Sequence, residues 1–228
     1  MTPLILVTND DGIDSPGLHA AIRAAAPLGQ VVAVAPRNQQ TSMARALAGS
    51  PEGIVITQVT LPLPADVAYT AYSITATPAL AAAYAILDIL PRRPDLCISG
   101  INYGENIGAT ITASGTVGAA LEASSFGVPA LATSYQVPAH ISHSREYVAL
   151  DWTMATHFTQ VVAEKMLRDG LPAGAVLLNL NVPVNATPQT PIQQTRQSRH
   201  LYYTWMKLPP TTDGAPPRLQ KHIVHPTD

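Results

Sequence analysis

Apolar positions along the chain come in short unbroken runs, each closed by glycine, proline or a polar turn. Residues 4–7 (Leu-Ile-Leu-Val) are followed by Thr8-Asn9-Asp10-Asp11-Gly12, the pattern of a buried strand ending in a turn. Residues 18–26 carry helical spacing, and 30–35 (Gln-Val-Val-Ala-Val-Ala) form a second continuous apolar run that stops at Pro36. The alternation repeats: helix over 78–90 with Pro78 at its start, strand over 95–99, helix over 115–125, strand over 130–133, helix over 148–168, strand over 175–182. Strands apolar on both faces, alternating with helices, predict a parallel sheet covered on both sides. The fold class expected is α/β: a three-layer, Rossmann-like, doubly wound and mostly parallel sheet.

Two stretches break the rhythm. Residues 49–72 show hairpin-like alternation with several prolines, an excursion of antiparallel strands. Beyond Pro183, Tyr202, Tyr203 and Trp205 cluster, and Pro209-Pro210 and Pro216-Pro217 are expected to interrupt any regular element. The chain is therefore divided into a core, 1–183, and a C-terminal arm, 184–228, which serves subunit contact and is not an independent domain.

Composition narrows the partners. Of the 228 residues 46% are apolar, enough for a substantial core, and 12% are charged, about half the usual share of about 25%. Thirteen basic and 15 acidic residues leave a net charge of −2, which gives nucleic acid no basic footprint. Cys97, the single cysteine, lies in an apolar strand and reads as a buried small hydrophobe compatible with a reducing compartment. There is no leader-like N-terminus and no apolar stretch of ~18 residues. A cytoplasmic address without membrane contact is the expectation.

In parallel α/β sheets ligands bind outside the carboxyl ends of the strands, so the loops at 8–17, 36–45, 99–118 and from 134 onward hold the candidate chemistry. Asp10 and Asp11 are adjacent carboxylates at the end of a buried strand, where mutual repulsion calls for a cation. A hard divalent ion such as Mg²⁺ or Mn²⁺, taking oxygen ligands, suits them. The alternative is that Asp10 caps the next helix while Asp11 faces solvent. Residues 99–108 (Ser-Gly-Ile-Asn-Tyr-Gly-Glu-Asn-Ile-Gly) have neither dinucleotide nor P-loop spacing, but offer the amides of Asn102 and Asn106 on a glycine-rich backbone. Ser114, Gly115 and Thr116 open a helix whose N–H groups and hydroxyls suit a phosphate, or else simply cap it. Thr41 and Ser42 add hydroxyls from the loop after the second strand, beside Arg37 and Arg45. Together these loops describe a site for one divalent metal and a phosphoryl group. Of the histidines, His140 and His143 read as solvated loop residues and His19 as lying on the outer face of its helix.

These motifs resemble the SurE survival-protein family: residues 6–18 around Asn9-Asp10-Asp11-Gly12, residues 99–108, and residues 114–122 (Ser-Gly-Thr-Val-Gly-Ala-Ala-Leu-Glu), joined by Asn179-Leu-Asn-Val-Pro183 and Thr195-Arg-Gln-Ser-Arg199. The resemblance spans about residues 4–205. It implies a 5′-nucleotidase that hydrolyses nucleoside monophosphates, in a family whose members also act on 3′-nucleotides and, in some cases, as exopolyphosphatases, working as a homodimer or homotetramer. By the same resemblance Asp10, Asp11, Asn102 and a hydroxyl at Thr41 or Ser42 hold the metal. Asn9, Asn106, Ser114, Gly115 and Thr116 correspond to positions near the phosphate, with Asn106 acting in catalysis beside the two aspartates. The chain departs from the family at Ala76-Thr-Pro-Ala-Leu-Ala81, which lacks an acidic residue, and in having no counterpart of the family's closing strand. The readings from other classes are a non-enzymatic metal- and nucleotide-binding module and a phospho-accepting receiver domain. The receiver needs a third Asp and a Lys at strand ends occupied here by Ser99-Gly-Ile-Asn102 and Ala132-Thr-Ser134.

Overall fold

A computed structural model describes residues 2–50, 52–137, 147–201, 203–212 and 216–223. Seven strands form one sheet: β1 (Leu4–Thr8), β2 (Gln30–Pro36), β3 (Ile56–Val59), β4 (Thr70–Ile74), β5 (Leu96–Tyr103), β6 (Ala130–Tyr135) and β7 (Leu177–Val182). Their order is β3-β4-β2-β1-β5-β6-β7, parallel throughout except for the antiparallel β3–β4 pair at one edge. The excursion expected over 49–72 is thus absorbed into the sheet, because β4 pairs in parallel with β2.

The apolar runs explain the layering. Along β1, Ile5 and Val7 point to one face and Leu4 and Leu6 to the other, all essentially inaccessible to water. On the first face they meet helices α1 (Pro16–Ala25) and α4 (Thr153–Asp169), through residues such as Leu18, Ile22, Phe158 and Met166. On the second they meet α2 (Pro78–Tyr84) and α3 (Gly115–Ser125), through Ala81, Val117, Ala120 and Ala123. Small residues on α2 and α3 let those helices lie close to the sheet and to each other. Helix α1 docks just as tightly: a Cβ at Gly17 would lie 2.0 Å from the Ile101 carbonyl oxygen.

Several sequence expectations are corrected. The helix expected over 78–90 is α-helical only to Tyr84 and then widens into a π turn at Ala85–Ile89, where the Leu90 N–H reaches back to Ala85 O at 2.9 Å. Helix α4 starts at Thr153, not at 148, because residues 147–152 are used for other contacts: Trp152 packs edge-on against Tyr103, and the Tyr147 hydroxyl donates to Asp11 O at 2.7 Å. His19 is buried at 8% exposure, not on an outer face, and burial together with nearby Arg23 lowers its pKa. The arm holds a regular hairpin, β8 (Tyr203–Leu208) with β9 (Arg218–Ile223); its proline pairs lie between the strands and therefore interrupt neither. Cys97 is fully buried, and its thiol is pushed up to about 12. His140 and His143 lie outside the described residues. Among the described residues no helix is long and apolar enough to cross a membrane.

Candidate active site

Strand β1 lies between β2 and β5, where the chain's connections diverge to either side of the sheet, and the loops at its carboxyl end open a crevice. Four loops converge there. The turn after β1 is tied internally by Asn9, whose amide donates to Gly12 O at 3.0 Å while its oxygen accepts the Gly12 N–H at 3.1 Å. The Gln40 N–H donates to Asp10 O at 2.6 Å, fastening the loop after β2 to the same turn. Ser15, not Asp10, caps α1, accepting the Gly17 N–H at 3.2 Å. The capping role open to Asp10 is therefore taken by another residue, and neither aspartate faces solvent: Asp10 is 4% exposed and Asp11 3%.

The two carboxylates form the floor of a cavity of about 240 Å³. Asp10 Oδ1 accepts the Thr116 hydroxyl at 2.6 Å and is also supported by the Thr116 backbone N–H. Asp11 accepts from the Gln39 amide at 3.3 Å and the Tyr103 N–H at 3.4 Å. Among the described residues neither takes part in an ion pair with Lys, Arg or His. Burial raises Asp10 to about 6; burial and then the neighbouring Asp10 charge raise Asp11 to about 8. Two buried carboxylates without a cationic partner are costly unless a cation joins them.

The remaining donors match a hard cation. Asn102 reaches the cavity with its nitrogen donating to Gly104 O at 2.7 Å, which leaves its oxygen to serve as an acceptor. Thr41 and Ser42 both line the cavity. Their loop is held strained: Ser42 and Ala44 have φ of 65° and 50°, in the left-handed region. It is locked onto α3, since a Cβ at Gly118 would meet Ala44 O at 1.9 Å, and Arg45 Nε pairs with Glu122 Oε2 at 2.7 Å. Among the described residues no three His, Cys, Asp or Glu side chains cluster. The set is all oxygen, two carboxylates with an amide and hydroxyls, which favours Mg²⁺ or Mn²⁺ over the softer metals that take imidazole or thiolate.

Asn106, which also lines the cavity, is gripped by three residues. Its amide donates to the Ser134 hydroxyl at 3.0 Å, its N–H donates to Asn181 Oδ1 at 2.9 Å, and its carbonyl accepts from Asn179 at 2.8 Å and Asn181 at 3.2 Å. Ser114 lines the cavity and caps α3, accepting the Val117 N–H at 3.1 Å. The other residues assigned to the phosphate stand one layer back. Asn9 is fully buried with both ends of its amide committed to Gly12, and Thr116 is committed to Asp10. Gly115 lies against Asp10, where an added Cβ would be 2.7 Å from the Asp10 Cβ. These three shape the carboxylate floor. Sequence reasoning missed Gln39, Ser134 and the gripping role of Asn179 and Asn181. It also missed Trp205, which lines the cavity from the arm. Arg37 faces a separate cavity of about 420 Å³.

The model of the family described as survival protein SurE matches residues 5–204. The 5′-nucleotidase SurE of Methanothrix thermoacetophila is 42% identical over 207 residues, spanning 88% of this chain and 75% of that protein. The 5′-nucleotidase SurE of Methanocella arvoryzae is 41% identical over 207 residues, spanning 90% and 76%. Among solved structures, the SurE protein from Aquifex aeolicus superposes with a TM-score of 0.75 at 28% identity, covering 97% of this chain and 82% of that one.

Proposed function

Because the chain belongs to the SurE survival-protein family, we propose that it is a 5′-nucleotidase, hydrolysing nucleoside monophosphates to nucleoside and phosphate. The observation that supports the chemistry is the buried pair Asp10-Asp11 lining the same cavity as the anchored Asn106. One divalent ion, Mg²⁺ or Mn²⁺, would be held by Asp10, Asp11, Asn102 and a hydroxyl of Thr41 or Ser42. When bound it would neutralise phosphate charge and acidify water.

The chain's own groups supply the rest. The Asn106 amide and the Ser114 hydroxyl would donate to phosphoryl oxygens, and Asn106 is held in one orientation by Ser134, Asn179 and Asn181. The start of α3 adds a favourable dipole at the same wall. Asp10, held at one oxygen by Thr116, and Asp11 would be the groups to take a proton. The same phosphoryl chemistry would serve 3′-nucleotides and terminal phosphates of polyphosphate. Assembly as a homodimer or homotetramer belongs to this reading, supported by Met206 and Leu219 exposed on the arm hairpin. So does a cytoplasmic address, supported by a free cysteine.

The test is phosphate release from a panel of 5′- and 3′-mononucleotides and polyphosphate with added Mg²⁺ or Mn²⁺, repeated with Asp10→Asn and Asp11→Asn. Release from mononucleotides that both substitutions abolish is expected. Full metal-dependent activity in both variants would overturn the site; tight nucleotide binding without release under any divalent ion would overturn the enzyme.

A further inference from the structure

The cavity has an aromatic residue at its mouth that the hydrolytic chemistry does not use. Trp205 lies on β8, outside the main sheet, yet it lines the same cavity as Asp10, Asp11 and Asn106. The arm is brought there by a specific docking. The Ala109 N–H donates to His200 O at 3.0 Å and the Gln197 amide donates to Gly108 O at 3.3 Å. Gly108, at φ 58°, admits the His200 carbonyl so closely that a Cβ would stand 2.5 Å from it. Residues 108–113 form a 3-10 turn whose Thr110 and Ala113 also line the cavity, so the arm is fastened to the cavity wall itself.

Depth separates the two ends of this site. The carboxylates at the floor are 4% and 3% exposed, whereas Trp205 is 61% exposed. A cavity of about 240 Å³ is below the ~300 Å³ at which pockets begin to enclose a whole organic ligand. With its phosphate at the floor, a mononucleotide must therefore leave its base at the rim, beside the indole. We propose that Trp205 is the nucleobase platform of the enzyme: the base stacks on the indole, every base offering a π face and the two-ring purines covering more of it than pyrimidines. This rests on the reading of the substrate as a nucleoside monophosphate, and it adds that purine nucleotides are preferred and that a hydrophobic contact far from the phosphate sets KM.

The experiment compares AMP, CMP and ribose 5-phosphate, which has the phosphate and sugar but no base, in the full chain with Mn²⁺. Variants are Trp205→Ala, Trp205→Leu and Trp205→Phe. Stacking on an aromatic side chain is worth about 1–3 kcal/mol per base, so Trp205→Ala and Trp205→Leu should raise the KM for AMP by about fivefold to 150-fold. The rise should be smaller for CMP, with kcat unchanged and ribose 5-phosphate kinetics unaltered. Trp205→Phe, which keeps a π face, should stay near the parent, whereas Leu keeps apolar bulk without one. An unchanged KM for AMP in Trp205→Ala overturns the platform, as does an equal loss on AMP and ribose 5-phosphate. A parent protein that cleaves ribose 5-phosphate but no nucleotide overturns instead the nucleotidase reading on which it rests.

Discussion

Replacing Asp11 with Asn should make the metal-free protein more stable at neutral pH while abolishing its activity. The reason is that Asp11 folds into a site that disfavours its charge. Burial and the Asp10 carboxylate raise it from 3.8 to about 8. For a group raised on folding, the stabilising contribution is complete below the unfolded value and is lost as pH rises through the folded one. At about pH 7.5 the interval since 3.8, at about 1.36 kcal/mol per pH unit, amounts to a penalty of about 5 kcal/mol. Asn removes the penalty but also loses an acceptor oxygen, and with it one of the two hydrogen bonds that Asp11 accepts, from the Gln39 amide or from the Tyr103 N–H. That loss costs about 1–3 kcal/mol, so the net gain is about 2–4 kcal/mol. At about pH 4.5 the penalty shrinks to about 1 kcal/mol and the substitution becomes neutral or unfavourable. Urea unfolding of both proteins in chelator at the two pH values measures this. Saturating Mn²⁺ should then stabilise the parent by about 2.7 kcal/mol at a hundred times its Kd and leave the variant unmoved. A variant less stable than the parent at about pH 7.5, or a gain that does not depend on pH, would refute the account of the floor as a site that disfavours a second negative charge.

Arg45→Ala should remove the partner of Glu122, which is 7% exposed, and loosen the loop bearing Thr41 and Ser42. With the Arg45 side chain itself 46% exposed, the expected cost is about 1–3 kcal/mol in unfolding free energy, together with a weaker Mn²⁺ affinity by calorimetry. An unchanged metal affinity would show that the loop is held by the Gly118–Ala44 contact alone. Gly115→Ala should drive a methyl into Asp10, 2.7 Å from its Cβ, costing about 1–3 kcal/mol from overpacking and displacing the carboxylate. Loss of metal binding with the fold retained by circular dichroism is the expected pair of readings, and retained Mn²⁺ affinity would contradict the close seat of α3 on Asp10.

Much of this was legible in the chain because it rests on local pattern. The runs at 4–7, 30–35 and 95–99 became β1, β2 and β5, since strands apolar on both faces have few other places to go. Asp10 and Asp11 stood out because two carboxylates at a strand end need an explanation, and the sheet's carboxyl edge gathered Asn102, Asn106 and Ser114 around them. What stayed hidden depends on pairing at long range. Asn181 grips Asn106 from 75 residues away, and no spacing rule links them. Thr116 and Gly115 were read for their N–H groups, and spacing alone did not show that the Thr116 hydroxyl donates to Asp10 or that Gly115 packs against it. The helical pattern over 148–152 lost to the contacts of Tyr147 and Trp152, where tertiary packing outweighed local periodicity.

The fastening of residues 197–200 onto Gly108 also sets an order of events during synthesis. The last strand of the main sheet ends at Val182, so every strand and helix of the core has left the ribosome before the segment that completes the cavity wall emerges. At the usual ~5–20 residues per second, the carboxylate floor exists for about 1–4 seconds with one side open. A nascent chain can therefore bury its core while its aspartates are still reachable, and the rim is laid down last.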